Sequence, residues 1–466
     1  MLPLKTKHVH FIGIGGYGMS ALALILLQKD YTVSGSDLKK SPLTETLTAA
    51  GATVTIGHDP ANLGQAEMVV YSTAVPAENP ELAAARELGL TLWHRSELLA
   101  ALLNNSYGIA IAGAHGKTTT TAMAALLLEA GGLDPTAVIG GILPAYGSNA
   151  RLGQSDYLVA EADESDSSFT RYYPKLALVT GIEADHLEHY NHDYTALKQA
   201  YITFLSNLPS DGTAILCADD YALVSLSRQL ACRHIFYSLT GRTGTIPGYY
   251  AANIKISGRT STFDLYNQGS PVATGVTLNV PGSHNISNAV GALALAATLG
   301  LDPAACAPAL TAFNGVNRRF EIIGTARDVT VVDDYAHHPT EVRATLEAAR
   351  PTANRVLCLF QPHRYSRTAA LLEEFSRAFK DSDLLFLHSV YSAGESPLPG
   401  ATSEALAALI RSHGGTIVYY NEDIYILEEE LVKKARPGDL IITMGAGDVT
   451  NSAPRILELL RRQDRA

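Results

Sequence analysis

The sequence predicts an α/β protein built from three successive units, and three observations support this prediction. Apolar segments of strand length alternate with segments of helical composition along most of the 466 residues. Two glycine-rich loops, GIGGYG and GAHGKTTT, each follow an apolar strand and open a helix. A region rich in Thr, Gly and Ser interrupts the alternation between Gly241 and Val280. We therefore expect mostly parallel sheets, with ligand crevices at the carboxyl ends of their strands.

Length and composition narrow the classes of function. A chain of this length holds about three domains of ordinary size. Its net charge of -11 gives no support for a nucleic-acid or membrane-surface partner. The four cysteines lack CxxC spacing, which indicates free thiols in a reducing compartment and no structural zinc. The apolar piece from Met19 to Leu27 is too short to span a bilayer. We expect a cytoplasmic protein without membrane insertion.

The first unit, residues 1–104, reads as a Rossmann-like fold. Its glycines Gly13, Gly15 and Gly18 satisfy GxGxxG after the first strand, and Asp37 follows the second strand at the position where a Rossmann fold holds a ribose. Dehydrogenases that bind NAD share this short pattern, but a lone match is weak evidence for NAD. The apolar segments predict strands at His8 to Ile14, Thr32 to Ser36, Thr53 to Ile56, Met68 to Ser72 and Thr91 to Trp93.

The second unit, residues 105–316, carries a nucleotide-phosphate loop. A strand from Tyr107 to Ala112 leads into the loop Gly113 to Thr120, where backbone N–H groups and a helix N-terminus can hold a polyphosphate. Lys117 can reach the outer phosphates, and the hydroxyl of Thr118 or Thr119 can bind Mg²⁺. Only two residues separate Gly113 from Gly116, where a Walker A loop has four.

Two further strands of this unit end in polar clusters, EADESD and GIEADH, and we expect both clusters to converge on the loop. Glu161 then is a metal ligand or a helix cap, and His186 is a metal ligand or an ordinary loop histidine. In GSHNISNA, Asn285 and Asn288 could read an adenine edge, or Ser283 and Asn285 could cap a helix. The segment Gly241 to Val280 predicts an antiparallel flap.

The third unit, residues 317–466, returns to the α/β alternation and is again Rossmann-like. Its strands are predicted at Val329 to Val332, Arg355 to Phe360, Asp383 to Leu387, Ile417 to Tyr420 and Asp439 to Met444.

Nine motifs in order resemble those of the Mur ligases along nearly the full length. They are GAHGKTTTT, EADESD, GIEADH, PGSHNISNA, NRRFE, DDYAHHPTE, FQPHRYSRT, VYSAGE and MGAGD. The resemblance implies a central ATPase-like domain between two Rossmann-like domains, and ATP-driven amide formation in peptidoglycan synthesis. The motifs are most similar to the branch of the family that uses UDP-N-acetylmuramate and L-alanine. There the lactyl carboxylate attacks the γ-phosphate, and the alanine amine displaces phosphate from the acyl phosphate.

The resemblance also implies roles for individual residues. Lys117, His186, His338 and Arg364 would be catalytic, with one Mg²⁺ on Thr118 and Glu161 and a second on His186. The ATP site would comprise Gly113, Ala114, His115, Gly116, Lys117, Thr118, Thr119, Asn285, Arg319 and Asp334. The UDP-substrate site would comprise Gly13, Gly15, Gly16, Gly18, Asp37, Ser72, Thr73, Arg95 and Asn149. The amino-acid site would comprise His338, His363, Arg364, Arg367 and Tyr391. Glu164 and Ser165 would wall the reacting phosphate.

Three positions depart from the usual wording of the family. Ser167 replaces a Gly after EADESD, Gly181 replaces an Asn before IEADH, and Ser389 replaces an Asp before VYSAGE. We expect Gly181 to loosen the loop that carries Glu183 and His186.

Three alternative functions remain at this stage. A ligase that adds an intact tripeptide to the same UDP-sugar is the nearest, but its counterpart of FQPHRYSRT usually reads differently. An NAD-dependent dehydrogenase explains only the first-unit glycines, and a non-catalytic nucleotide-binding module leaves the His and Arg clusters of the third unit unexplained. The sequence fits a monomer or a homodimer.

Overall fold

The computed structural model describes residues 6–239, 241 and 248–463. The chain divides into two compact units. One comprises Met1–Asn253, Phe263–Val276 and Ser287–Phe313, and the other comprises Ile254–Thr262, Thr277–Ile286 and Asn314–Ala466. The described strands form three sheets of five, ten and six strands, in agreement with the predicted α/β class.

The first sheet is parallel, and its order places the glycine loop at the switch point. Its strands are β1 (His8–Ile12), β2 (Thr32–Asp37), β3 (Thr53–Ile56), β4 (Met68–Tyr71) and β5 (Thr91–His94). They follow the order β3-β2-β1-β4-β5, and each neighbouring pair is parallel. The chain leaves β1 in opposite directions on its two sides, so a crevice opens at the carboxyl end of β1. The helices of this region are α1 (Tyr17–Gln28), α2 (Pro42–Ala49), α3 (Pro80–Glu87) and α4 (Arg95–Asn104).

The central sheet follows the order β15-β14-β13-β12-β11-β10-β6-β9-β7-β8. Its first strands are β6 (Tyr107–Ala112), β7 (Thr136–Leu143), β8 (Ser148–Arg151), β9 (Tyr157–Glu161) and β10 (Leu176–Val179). The others are β11 (Thr213–Cys217), β12 (Arg233–Ser238), β13 (Gly248–Ser257), β14 (Thr260–Asn267) and β15 (Ser270–Leu278). Its helices are α5 (Lys117–Ala130), α6 (Tyr194–Ser206), α7 (Tyr221–Ser227), α8 (Ser283–Thr298), α9 (Pro303–Cys306) and α10 (Pro308–Thr311).

The predicted flap is present as three adjacent strands, but it does not form a sheet of its own. β13 pairs in parallel with β12, so the flap continues the central sheet. Residues 242–247, at the start of the predicted flap region, lie outside the described residues.

The third sheet has one antiparallel edge that the sequence did not indicate. It follows the order β16-β17-β21-β18-β19-β20, and β16 pairs antiparallel with β17. Its strands are β16 (Glu321–Ala326), β17 (Val329–Asp334), β18 (Arg355–Phe360), β19 (Leu384–Leu387), β20 (Ile417–Tyr420) and β21 (Asp439–Met444). Its helices are α11 (Pro339–Ala349), α12 (Tyr365–Ala370), α13 (Leu372–Ser376), α14 (Ser403–His413), α15 (Ile424–Lys434) and α16 (Ser452–Gln463).

Local sequence explains where the helices begin. Ser41 and His338 each close a capping box in front of a proline, and these start α2 and α11. The strands that carry the glycine loops are buried along almost their whole length. Both glycine loops therefore follow strands that are firmly packed in the core. None of the described helices combines the length and apolar character needed to cross a bilayer.

Candidate active site

The phosphate loop adopts a conformation that its two glycines allow. Gly113 has φ 131° and Gly116 has φ 82°, both in the region that disfavours residues with a Cβ. Gly113 also lies against β10, where an added Cβ would stand 2.1 Å from Thr180 Oγ1. The hydroxyl of Thr180 donates to His115 O at 2.5 Å. The shortened spacing therefore produces a tight turn that is hydrogen-bonded to the end of the neighbouring strand.

Lys117 is largely enclosed, with 16% of its side chain exposed, and is bound to a carboxylate. Its Nζ lies 2.9 and 2.8 Å from the two oxygens of Glu164, and it donates to Gly113 O at 2.6 Å. Burial alone would lower the pKa of Lys117, but the carboxylates of Glu164 and Asp163 outweigh it and raise that pKa. Lys117 is therefore a permanent cation at the N-terminus of α5.

Glu161 ends β9 beside the glycine of the next strand. Gly140 N donates to Glu161 Oε1 at 2.5 Å, and a Cβ on Gly140 would stand 2.6 Å from the same oxygen. Thr118 lies buried in the first turn of α5. Because β6 lies between β9 and β10, Thr118 and Glu161 extend from adjacent strand ends of one sheet. Both supply oxygen atoms, which Mg²⁺ prefers.

The GIEADH loop meets the phosphate loop directly, as the sequence predicts. Ala114 N donates to Gly181 O at 2.9 Å, and the ring of His115 lies 2.7 Å from Glu183 Oε2. Ile182 N donates to Asp220 Oδ2 at 2.6 Å, so the residue after Gly181 is held in place, and the expected loosening further along the loop stays a prediction. Asp220 follows β11, so a further strand end supports this loop.

His186 sits in a left-handed conformation among carboxylates. Its φ is 55°, and its ring nitrogens lie 3.5 Å from Asp185 Oδ2 and 3.8 Å from Glu188 Oε1. The hydrogen bond with His186 lowers the pKa of Glu188 to about 2. Carboxylates around a histidine ring orient it as they do for metal-bound histidines.

Asn288 lies at the phosphate loop, whereas its sequence context suggested a contact with an adenine edge. A Cβ on Gly116 would stand 2.6 Å from Asn288 Oδ1. Asn285 has a local role, because its Nδ2 donates to Pro281 O at 2.7 Å. No spacing signal in the sequence distinguishes the two asparagines.

The glycine loop of the first sheet is held by the end of β2. Gly13 N and Ile14 N both donate to Ser36 O, and Gly15 N donates to Asp37 Oδ2 at 2.9 Å. Asp37 therefore stabilises the loop, whereas its position in the sequence suggested a ribose contact. Ser72 and Thr73 follow β4 at the neighbouring strand end.

Arg95 connects this loop to the EADESD cluster. Its side chain crosses Gly18, where an added Cβ would stand 2.7 Å from Arg95 Nη1. Its other nitrogen, Nη2, lies 3.5 Å from Asp163 Oδ2. The structure thus brings together two loops that the sequence assigned to different substrates.

Asn149 is placed differently from the contact with the UDP substrate inferred for it. It is only 1% exposed, and its Nδ2 donates to Tyr17 O at 2.5 Å and to Ser20 Oγ at 3.0 Å. Both donors of the amide are used in packing β8 against α1, so we leave Asn149 out of the substrate site.

The DDYAHHP segment folds into the start of α11. His338 Nδ1 accepts from Thr340 N, and the N–H groups of His337 and His338 both donate to Glu341. Burial lowers the pKa of His337 to about 3 despite the nearby Glu341 carboxylate. Both histidines therefore make structural hydrogen bonds at the start of α11, and the catalytic role of His338 stays a prediction.

The FQPHRYSRT and VYSAGE segments meet side by side. The rings of His363 and Tyr391 stack with centroids 5.6 Å apart, and Arg364 N donates to Tyr391 O at 2.8 Å. Burial, followed by the Arg367 and Arg364 charges, lowers the pKa of His363 to about 4. Three of the residues predicted for the amino-acid site thus share one corner, at the carboxyl end of β18.

Asp334 and Arg319 both lie next to Tyr335. Asp334 is buried and accepts from Phe320 N and Ala336 N, each at 2.7 Å. Burial raises the pKa of Asp334 to about 6, against the effect of Arg319. Arg319 lies 3.7 Å from Glu341 and over the ring of Tyr335. The oxygens of Asp334 accept hydrogen bonds inside the fold, whereas the resemblance implied a place for Asp334 in the ATP site.

Family models match three successive segments of this chain. They are described as Mur ligase family, catalytic domain, over residues 8–107, Mur ligase middle domain over 111–296, and Mur ligase, glutamate ligase domain, over 318–447. The chain belongs to the Mur ligase family.

Named relatives of this Mur ligase match it end to end. A UDP-N-acetylmuramate–L-alanine ligase from Sorangium cellulosum is 46% identical over 96% of this chain and 94% of its own length. One from Anaeromyxobacter sp. is 45% identical over 98% of both chains.

Solved structures of the family are also similar to this Mur ligase. The UDP-N-acetylmuramate-alanine ligase MurC of Thermotoga maritima has a TM-score of 0.82 and 29% identity, covering 98% of this chain and all of that one. A murein peptide ligase from Psychrobacter arcticus has a TM-score of 0.72 and 26% identity, covering 97% and 98%. The three-domain fold of the family is therefore the fold of this chain.

Proposed function

We propose that this Mur ligase joins L-alanine to the lactyl carboxylate of UDP-N-acetylmuramate, with ATP converted to ADP and phosphate. The observation that carries the proposal is the near-complete alignment with relatives of that name at 43% to 46% identity. Among solved structures, the UDP-N-acetylmuramate-alanine ligase of Thermotoga maritima has a TM-score of 0.82 to the chain, against 0.72 for the murein peptide ligase of Psychrobacter arcticus. This difference in structural similarity favours single alanine over a tripeptide. The dehydrogenase alternative has no support from the family.

The phosphate loop supplies what the first step requires. A carboxylate that attacks ATP must approach a polyanion, so cations and N–H dipoles must offset the repulsion. Lys117 is a buried cation at the start of α5, and the loop glycines bring backbone N–H groups to the same place. We assign the outer phosphates of ATP to this loop.

The oxygen donors of the site fit Mg²⁺. Glu161 and Thr118 lie at adjacent strand ends, and His186 is oriented by Asp185 and Glu188. We propose that Thr118 and Glu161 hold one Mg²⁺ and that His186 holds a second. When bound, the metal neutralises phosphate charge and polarises the phosphoryl oxygens.

The third-domain corner suits the amino acid. A guanidinium can bind a carboxylate through two parallel hydrogen bonds, so we assign the alanine carboxylate to Arg364 or Arg367. The lowered pKa of His363 keeps its ring neutral at pH 7. A ring with so low a pKa is a weak base, so we assign His363 with Tyr391 to the wall of this pocket and not to proton transfer.

A coupled assay tests the function. Phosphate release by the whole protein should require ATP, Mg²⁺, UDP-N-acetylmuramate and L-alanine together, and equal use of a tripeptide would contradict the assignment. Lys117→Ala should lower the rate about a hundredfold or more, as loss of a key donor to a transition-state anion does. The surface variant Lys175→Ala is the control, because Lys175 is 44% exposed.

We also propose that the enzyme works in the cytoplasm, as a monomer or a homodimer. The free cysteines and the substrates named for its relatives support this location.

A further inference from the structure

Lys117 and Glu164 form a buried ion pair that the proposed reaction does not explain. The ammonium contacts both carboxylate oxygens and the carbonyl of Gly113, with Ala114 O further away at 3.4 Å. The side chain of Glu164 is buried, with 5% exposed, and that of Lys117 is mostly enclosed, with 16% exposed. Lys117 thus has a strong partner before any phosphate is considered.

The valence of the ammonium limits how many partners it can serve. A lysine has three N–H donors, and Gly113 O with the two carboxylate oxygens already accounts for three. Gly113 O belongs to the loop itself and stays with it. A phosphate oxygen therefore gains a hydrogen bond from Lys117 only when Glu164 gives one up.

The positive charge of Lys117 leads to the same exchange between Glu164 and phosphate. A buried ammonium without an anion is strongly disfavoured, so Lys117 needs either Glu164 or a phosphate beside it. The main chain of Glu164 is fixed, because Tyr190 Oη donates to Glu164 O. Only the carboxyl end of Glu164 then needs to move.

We propose that Glu164 is a positioning residue that exchanges with nucleotide phosphate as the partner of Lys117. Phosphate binding displaces the carboxylate, and the carboxylate takes Lys117 back as the phosphate leaves. This inference rests on the proposed role of Lys117 at ATP. It adds a residue that opposes nucleotide binding and assists nucleotide release.

The variant Glu164→Gln tests the proposal, because it keeps the shape and removes the charge. Calorimetry with the full chain, Mg²⁺ and the non-hydrolysable analogue AMP-PNP should give a Kd about tenfold lower than in the wild type. Asp166→Asn is the matched control, since it changes the charge of the same loop equally and keeps the cap on Ser168 N. Its Kd should stay within about twofold of the wild type.

A second substitution separates exchange from simple repulsion. In a Lys117→Met background the gain from Glu164→Gln should disappear, because exchange acts through the lysine. An equal gain there would overturn the proposal, and so would an unchanged or higher Kd in Glu164→Gln alone.

Release kinetics give a readout that needs only the single variant. Stopped-flow displacement of a fluorescent AMP-PNP derivative should show slower dissociation from Glu164→Gln, by about the same factor as the Kd. An unchanged dissociation rate would count against the proposal. If the proposed function itself were wrong, the result would be different: the wild-type protein would show no alanine-dependent release of phosphate.

Discussion

The side-chain amide of Asn288 lies against Gly116, so close that a Cβ on Gly116 would stand 2.6 Å from Asn288 Oδ1. Gly116 also has φ 82°, which a residue with a Cβ adopts at a cost. One glycine therefore satisfies two separate requirements, a left-handed turn and a close neighbour. The effects of these two requirements can be measured separately. Gly132, at the other end of the same helix, has a left-handed φ angle but no close neighbour.

Gly116→Ala should destabilise the protein more than Gly132→Ala. Gly132 has φ 79° with no atom within 4 Å of an added Cβ, so its substitution tests the backbone alone. We expect a loss of about 1–2 kcal/mol for Gly132→Ala. For Gly116→Ala we expect a further loss of about 1–3 kcal/mol from crowding. Urea unfolding measures both losses, and equal values would show that Asn288 yields without cost.

Gly18→Ala should act by moving Arg95. The Cβ would stand 2.7 Å from Nη1 and 2.9 Å from Cδ of Arg95, and this flexible side chain can swing away. If Arg95 binds the UDP substrate, Gly18→Ala and Arg95→Ala should each raise the KM for UDP-N-acetylmuramate, by about tenfold. The double variant should be no worse than Arg95→Ala.

Additive effects in that double variant would mean that Gly18 acts through the loop and not through Arg95. Arg86→Ala is the control, because Arg86 lies on α3 and donates to Ala77 O nearby. Its KM should equal that of the wild type.

Ser167→Gly should stabilise the protein. Ser167 has φ 60° at the position where the family usually has glycine, and its side chain makes no capping bond. Relief of the left-handed strain, about 1–2 kcal/mol, exceeds the extra chain entropy of glycine, about 0.5–1 kcal/mol. The net gain should be about 0.5–1 kcal/mol in urea unfolding.

Ser225→Gly is the comparison variant, and we expect it to lower the stability of the protein. Ser225 lies exposed within α7, where glycine should cost about 0.5 kcal/mol. If both variants lose stability, Ser167 is held by more than its φ angle indicates.

Convergence of the polar clusters could be predicted from the sequence, because parallel strands deliver their carboxyl ends to one edge. The phosphate loop, EADESD and GIEADH each follow a buried strand, and the contacts of Lys117 and His115 confirm that they meet. The rule needs only the strand–helix alternation, and the sequence displays that clearly.

The partners within the cluster could not be predicted, because they depend on which strands are neighbours. Glu161 meets Gly140 only because β7 lies beside β9, and the crossover could have placed another strand there. The acidic residues of EADESD look alike in sequence, although Glu164 alone binds Lys117 through both oxygens in the described contacts. Pairing of β13 with β12 is likewise a tertiary choice, since the flap strands carry no signal for it.

Arg364→Ala should mainly raise the KM for alanine. Arg364 has φ 67°, and alanine at the same φ leaves the backbone strain unchanged. Loss of a charged hydrogen bond of about 1.5–3 kcal/mol corresponds to a KM about 10–100 times higher. Arg377→Ala is the control, since its guanidinium is exposed and pairs with Glu373 on the surface. A fall in kcat at unchanged KM would place Arg364 at the phosphate instead.

The neutral state of His363 should make the folded protein less stable as the pH falls. Burial lowers its folded pKa from 6.5 to about 4, so between these values the unfolded chain binds a proton that the folded chain does not. Stability therefore rises with pH across this window, and the histidine contributes no pH dependence above it.

His363→Gln removes the group that binds this proton and should make the stability of the protein depend less on pH. The variant loses the ring stack on Tyr391, so its stability at pH 7 is expected to be lower than that of the wild type. The gap should narrow from pH 7 to pH 4.5, as measured by urea unfolding at pH 7, 5.5 and 4.5. His413→Gln, at the exposed end of α14, is the control. A gap that stays constant with pH would mean that His363 takes up a proton in the folded state as readily as in the unfolded chain.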